Sequence, residues 1–161
     1  MIAIVVVDEK MGIGKNGQLL AHISGDLKYF KEKTIGKTIV FGRETLETFP
    51  GKKPLPGRKS IVLTTDKEYR TSCEVCCSIE QFLEETSDIP GDELFVAGGA
   101  SIYEQLLPYC DKILLTRIYK EFEADRFFPE LDSSVWEEIW SSELFEEDGT
   151  EYRFFEYKRV R

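Results

Sequence analysis

Leu94–Leu107, LFVAGGASIYEQLL, limits the possible folds more than any other stretch of the chain. Leu94 to Ala97 suit a buried strand, Gly98-Gly99 interrupts it, and Ile102, Tyr103, Leu106 and Leu107 then recur at helical spacing. Two glycines between strand and helix let the backbone turn sharply and put no Cβ in the way of a ligand. The unpaired N–H groups and the dipole at the start of the new helix favour an anion above the strand end. A tight turn with no ligand is the other reading of a glycine pair taken alone, so the remaining strand ends have to decide.

Strand patterns recur along the chain. Ile2–Val7 is an unbroken apolar, β-branched run, the pattern of a central strand buried on both faces. Thr38–Phe41, Ser60–Thr65, Val75–Ser78 and Lys112–Ile118 read as further strands. Helices alternate with them. Ser24 is the expected cap of the first, with Asp26 in its opening turn and Leu27 and Phe30 turned inward. A short helix is expected at Glu44–Thr48, and Ser78 with Gln81 forms a capping box for another that turns Ile79, Phe82 and Leu83 inward. Asp8–Ser24 reads as a long polar loop with Gly12, Gly14 and Gly17, of the kind that serves as a lid. Phe49–Gly57, FPGKKPLPG, is a proline- and glycine-rich connection. Val135–Glu146 and Glu151–Val160 alternate apolar and polar residues around Asp148-Gly149, a hairpin signature. These patterns predict one α/β domain over residues 1–161: a mostly parallel central mixed sheet flanked by helices, with a C-terminal antiparallel hairpin.

Composition narrows the function. A net charge of −9 over 161 residues argues against a broad nucleic-acid-binding face. Lys52, Lys53, Arg58 and Lys59 cluster against that background, either as a solvated loop or as a local attraction for an anionic small molecule. No apolar run nears the length of a membrane span, and MIAIVVVDEK lacks the basic start and cleavage site of a signal peptide. Cys73 and Cys76 form a C-x-x-C, but a metal site would want a second pair or nearby histidines, and the sole histidine is His22. Structural or exposed thiols in a reducing cytoplasm, with no bound metal, are the expectation.

In open α/β sheets ligands bind outside the carboxyl ends of the strands. Three such ends carry suitable groups here: Gly42-Arg43 with Thr45, Thr64-Thr65, and Gly98-Gly99 with its helix. Glycine gives backbone access, threonine a hydroxyl, and arginine a planar cationic fork for phosphate oxygens. Together they point to a ligand with several phosphates, such as a dinucleotide, although neither GxGxxG nor a Walker sequence is present. Asp26 reads either as a carboxylate favoured by the helix dipole or as a partly buried acid gripping two N–H donors of a flat heterocycle. Arg58 reads either as a solvated loop residue or as a clasp for a ligand carboxylate.

The ordered set IGKNGQL (13–19), DLKYFK (26–31), GRET (42–45), PLPGRKSIVLTT (54–65), VAGGASIYEQLLP (96–108), LLTRI (114–118) and DRFFP (125–129) resembles bacterial dihydrofolate reductase, nearly end to end and in order. The resemblance implies reduction of 7,8-dihydrofolate to tetrahydrofolate by NADPH in a cytoplasmic monomer. It implies that Asp26 binds the pterin N3 and 2-amino group and favours protonation at N5. Leu27, Phe30, Phe49 and Leu55 would wall the pterin and aminobenzoyl pocket, Arg58 would hold the glutamate α-carboxylate, and Thr116 would bond the Asp26 side. Ile4, Val5 and Val6 would line the floor, with Ala97 and Tyr103 near the nicotinamide. Gly42, Arg43, Glu44, Thr45, Leu63, Thr64, Thr65, Gly98, Gly99, Ala100, Ser101 and Ile102 would hold the cofactor. A cis bond is implied at Gly98-Gly99, and a mobile lid at Ile13–Leu20, in which Ile13, Gly14 and Leu19 reach the cofactor.

Three departures stand out. Leu19-Leu20-Ala21 replaces the family's Leu/Met-Pro-Trp, removing an aromatic that helps order a water on the pterin. Ser24 replaces a common proline, and Ala100-Ser101 stands where the family often has glycine and arginine. The contact to the cofactor's 2′-phosphate would then rest more on Arg43, Thr64 and Thr65. Two rival readings are a pterin- or pyrimidine-reducing relative on the same scaffold, and a non-catalytic nucleotide or pterin binder.

Overall fold

The computed structural model describes residues 1–20 and 22–161, and at Leu19 the backbone alone. The expectation at Ala21 therefore lies outside the described residues. Ile2–Val7 forms β1 at the centre of a nine-stranded sheet, flanked by the parallel strands Leu94–Val96 (β7) and Lys112–Ile118 (β8). Beyond β7 lie Thr38–Gly42 (β4), Lys59–Leu63 (β5) and Glu74–Cys76 (β6), all parallel. Beyond β8 the direction reverses at Thr150–Arg159 (β12), which pairs with Trp136–Ser141 (β10) and Phe145–Glu147 (β11). The expected hairpin is present, but its first arm is broken into β10 and β11, with a register shift between Glu138 and Trp140. Its turn is made by Asp148 (φ 50°) and Gly149 (φ 82°), the left-handed pair of a two-residue hairpin.

Side chains of β1 alternate between two cores. Ala3, Val5 and Val7 pack under Ser78-capped Ile79–Glu85 (α3) and Ala100–Leu106 (α4) with Phe82, Ile102 and Leu106. Ile4 packs with Ile39, Phe41 and Leu46 beneath Ser24–Thr34 (α1) and Arg43–Thr48 (α2). Burying side chains such as Phe41, Phe82 and Leu46, each at most 1% exposed, contributes roughly 2–3 kcal/mol apiece against water. The capping box forms as read: Gln81 N donates to Ser78 Oγ at 3.0 Å, and the Gln81 side chain reaches back to accept from Cys77 N at 2.8 Å.

Two expectations near α1 fail. Ser24 is not its cap, because buried Ile23 holds the N-cap position. The Ser24 hydroxyl donates to Glu147, which also accepts from Ser24 N at 2.7 Å and Gly25 N at 3.2 Å. A carboxylate from the distant hairpin therefore satisfies the free amides and faces the positive end of the helix dipole. Leu27 is not turned inward; it is 50% exposed.

The Asp8–Ser24 segment is more ordered than a loop. Gly12–Lys15 (β2) and Gln18–Leu19 (β3) form a hairpin that pairs with Arg126–Phe127 (β9) as a second, three-stranded sheet. Its root is fixed by buried Asp8, whose carboxylate accepts from Lys10 N and Gly12 N at 2.8 Å and from Phe122 N at 3.2 Å. Among the described residues no helix is long and apolar enough to cross a membrane.

Candidate active site

Because β1, β4, β5, β7 and β8 run parallel, their carboxyl ends share one edge. The diglycine corner sits on that edge. The Gly98-Gly99 bond is cis, Gly98 has φ 123°, and its carbonyl accepts from Gly42 N at 2.9 Å, joining the ends of β7 and β4. A Cβ on Gly98 would lie 3.3 Å from Thr45 Oγ1 and 3.6 Å from the Tyr103 hydroxyl, and one on Gly42 would lie 3.1 Å from Ile102 Cγ1. Side chains at either glycine would fill the space that keeps the two helix starts apart.

Above this edge opens a cleft of about 750 Å³, a volume typical of small-molecule sites. It gathers Gly42, Arg43, Glu44 and Thr45 from the start of α2, Leu63, Thr64 and Thr65 from the end of β5, and Gly99, Ala100, Ser101 and Ile102 from the start of α4. Ile13 and Gly14 close it from the lid sheet. The glycines, threonines and arginine of three strand ends thus meet in one cleft. Sequence reading missed Lys15, Cys77, Ser78, Gln105 and Arg126, which also line the cleft. Lys15 and Arg126 come from β2 and β9, whose pairing spans more than a hundred residues and leaves no local signal. The Leu19 backbone pairs with Gly14.

A second group sits across the end of β1. Thr116, buried on β8 opposite Val6, donates its hydroxyl to Asp26 Oδ1 at 2.7 Å. Burial pushes the Asp26 carboxyl up from 3.8 to about 6, while the Thr116 hydrogen bond favours the charged form and holds the rise back. The buried Tyr103 hydroxyl donates to the Ile4 carbonyl at 2.7 Å and touches the Gly98 corner. Burial raises the Tyr103 pKa, and the Asp26 charge adds to that rise. Tyr103 is 5% exposed with its hydroxyl already committed, which makes it a support behind the cleft.

The apolar residues divide by face. Ile4, Phe30, Phe49, Leu55 and Ala97 belong to one cluster, with Phe49 edge-on to Phe41 at 5.1 Å between centroids. Val5 turns its side chain into the opposite core, and Val6 packs toward Ile23, Ile118 and Phe154. Arg58 folds back on its own loop, giving Nε at 3.1 Å and Nη2 at 2.9 Å to the Pro56 carbonyl. The C-x-x-C closes no disulfide: Cys73, Cys76 and Cys77 are free thiols, and Cys76 donates to Glu85.

The family model for dihydrofolate reductase matches residues 1–159. The chain belongs to the dihydrofolate reductase family. It is 39% identical over 160 residues to the dihydrofolate reductase of Bacillus subtilis, covering 97% of this chain and 92% of that one. It is 35% identical over 161 residues to that of Staphylococcus haemolyticus, covering 98% and 95%. Among solved structures, dihydrofolate reductase from Enterococcus faecalis, in complex with NADP(H) and RAB-propyl, superposes with a TM-score of 0.90 at 38% identity, covering 99% of this chain and 96% of that one.

Proposed function

We propose that this chain reduces 7,8-dihydrofolate to tetrahydrofolate with NADPH, acting as a single-domain monomer in the cytoplasm. The observation that carries the reading is Asp26: a partly buried carboxyl, raised to about 6 and hydrogen-bonded by Thr116 on β8, a strand of the same sheet whose other strand ends line a phosphate-suited cleft. Four free thiols fit a reducing compartment. NADPH, when bound, supplies the hydride.

The residues present suit that ligand. Arg43, Thr45, Thr64 and Thr65 offer a cationic fork and hydroxyls at the cleft wall, and the small Gly42, Gly98 and Gly99 allow backbone approach. Ser101, Ala100 and Ile102 border the start of α4, and Ile13 and Gly14 cover the far side. Asp26 would accept from the N3 and 2-amino donors of the pterin. A carboxylate poised near 6 makes nearby positive charge favourable, so it would promote protonation at N5 by solvent without donating the proton itself. Phe30, Phe49 and Leu55 would wall the aromatic part, and half-exposed Leu27 would close on the ring once ligand fills the open side. Arg58 must exchange its Pro56 contacts to grip a carboxylate with two parallel bonds.

The test is the loss of NADPH absorbance on adding dihydrofolate. Turnover that requires both molecules supports the reading. Binding without turnover would replace it with the binder reading, and turnover only of a pyrimidine substrate of riboflavin synthesis would replace it with that relative.

A further inference from the structure

The guanidinium of Arg43 is not free in the cleft. Its Nε lies 3.5 Å from Glu47 Oε1, its Nη1 lies 3.3 Å from Asp66 Oδ2, and its Cζ sits 4.9 Å from the ring centroid of Tyr69. Asp66 is itself fixed by the turn that follows β5: its Oδ1 accepts from Glu68 N at 2.9 Å and its carbonyl from Tyr69 N at 3.2 Å. Two carboxylates thus pair with the Arg43 fork, and Glu44 lines the same cleft, whose other cations, Lys15 and Arg126, come from β2 and β9. Both ion pairs are close to half exposed on each side, so they hold the arginine weakly, yet their charges stay in place when a ligand arrives.

Resting on the proposed function, we propose that Glu47 and Asp66 are specificity-determining residues: they lower the preference of this cleft for a cofactor bearing a 2′-phosphate over one bearing a 2′-hydroxyl. The phosphate competes with both acids for the same fork and is repelled by each, whereas a ribose hydroxyl is indifferent to them. A dianion that shares a solvent-exposed corner with a carboxylate loses roughly threefold in affinity per acid at low salt, or about tenfold for the pair, and less as added salt screens the repulsion.

The experiment titrates adenosine 2′,5′-bisphosphate and 5′-AMP into the full chain and its Glu47→Gln/Asp66→Asn variant by calorimetry, at two salt concentrations. The expected result is an affinity about tenfold higher for the bisphosphate at low salt, narrowing at high salt, with AMP changed by less than about twofold. The single variants Glu47→Gln and Asp66→Asn, which keep an acceptor oxygen for Arg43 and Glu68 N, should each give about threefold and serve if the double variant unfolds. Unchanged or weaker bisphosphate binding, or an equal gain for AMP, overturns the proposal. Dihydrofolate turnover by the unsubstituted chain, measured alongside, separates the two claims: turnover with no bisphosphate gain sinks only the acidic pair, and the gain without turnover sinks only the proposed activity.

Discussion

Replacing Asp26 by asparagine leaves a side chain of the same shape that stays neutral across the pH scale, and the consequence for stability follows from the site. The folded-state pKa of Asp26 is raised from 3.8 to about 6 by burial. A carboxyl raised in this way binds more protons folded than unfolded, so its contribution to stability is fully present below the unfolded pKa. That contribution is lost as pH climbs through the interval up to about 6. A rise of about two units corresponds to roughly 3 kcal/mol at most. Because Asp26 is only partly buried and keeps some water contact, about 2–3 kcal/mol is the working figure. Urea unfolding of the ligand-free chain and of Asp26→Asn, at intervals from about pH 4 to about pH 8, reads this directly. The variant should gain stability relative to the parent with rising pH and level off above about pH 7. Parallel curves, or a gap that widens toward acid, would mean that the carboxyl is not held in a desolvated state, and the electrostatic role built on it would fall with them.

The same Asp26→Asn variant should lose about a hundredfold or more in turnover at neutral pH and recover partly in acid, where protonated substrate is commoner; a fully active variant counts against the assignment. Thr116→Val removes the one hydrogen bond that lowers the Asp26 pKa, so the acid limb of the kcat/KM profile should move above about pH 6, and an unmoved limb refutes the coupling. Gly98→Ala places a Cβ at φ 123°, 3.3 Å from Thr45 Oγ1. It should cost about 1–3 kcal/mol in urea unfolding and weaken NADPH binding measured by fluorescence. Leu46→Ala, on the buried face of the helix that also carries Arg43 and Thr45, opens a cavity at a residue 1% exposed and should cost about 2–5 kcal/mol in the same unfolding measurement.

Much of the architecture was readable because it is local. The Ile2–Val7 run has the composition of a strand covered on both faces, and the Ser78–Gln81 box is written within four residues. The strand, diglycine and helix of Leu94–Leu107 are written within fourteen residues, but alone they fit a ligand-free turn as well, and the cleft became legible only with the strand ends at Gly42-Arg43 and Thr64-Thr65 beside them. What escaped was set by distant partners. β2 and β3 are short and glycine-bearing, and they become strands only because β9 supplies a neighbour more than a hundred residues away. Ser24 looked like a cap because serine usually is one, but Glu147 reaches the same amides with a stronger, charged acceptor. Helical spacing put Leu27 on one face of α1 without saying whether that face meets the core or an open trench. The hydrogen bond between Asp26 and Thr116, ninety residues apart, has no signature in spacing; only the resemblance to a known family pointed to it.

The position of β12 bears on how the protein is made. Residues 152–158 pair along the whole of β8, with Phe154 opposite Thr116, so the strand that holds Asp26 in place gains its outer neighbour only once residues 152–158 have been synthesised. β1 must likewise wait about ninety residues for β7 and more than a hundred for β8. Until then its apolar edges stand open to chaperones or to other nascent chains, and sequence separations of this size slow folding. Translation stalled before residue 150 would therefore leave the strand ends that line the cleft already synthesised beside an Asp26–Thr116 pair with no outer strand to brace it.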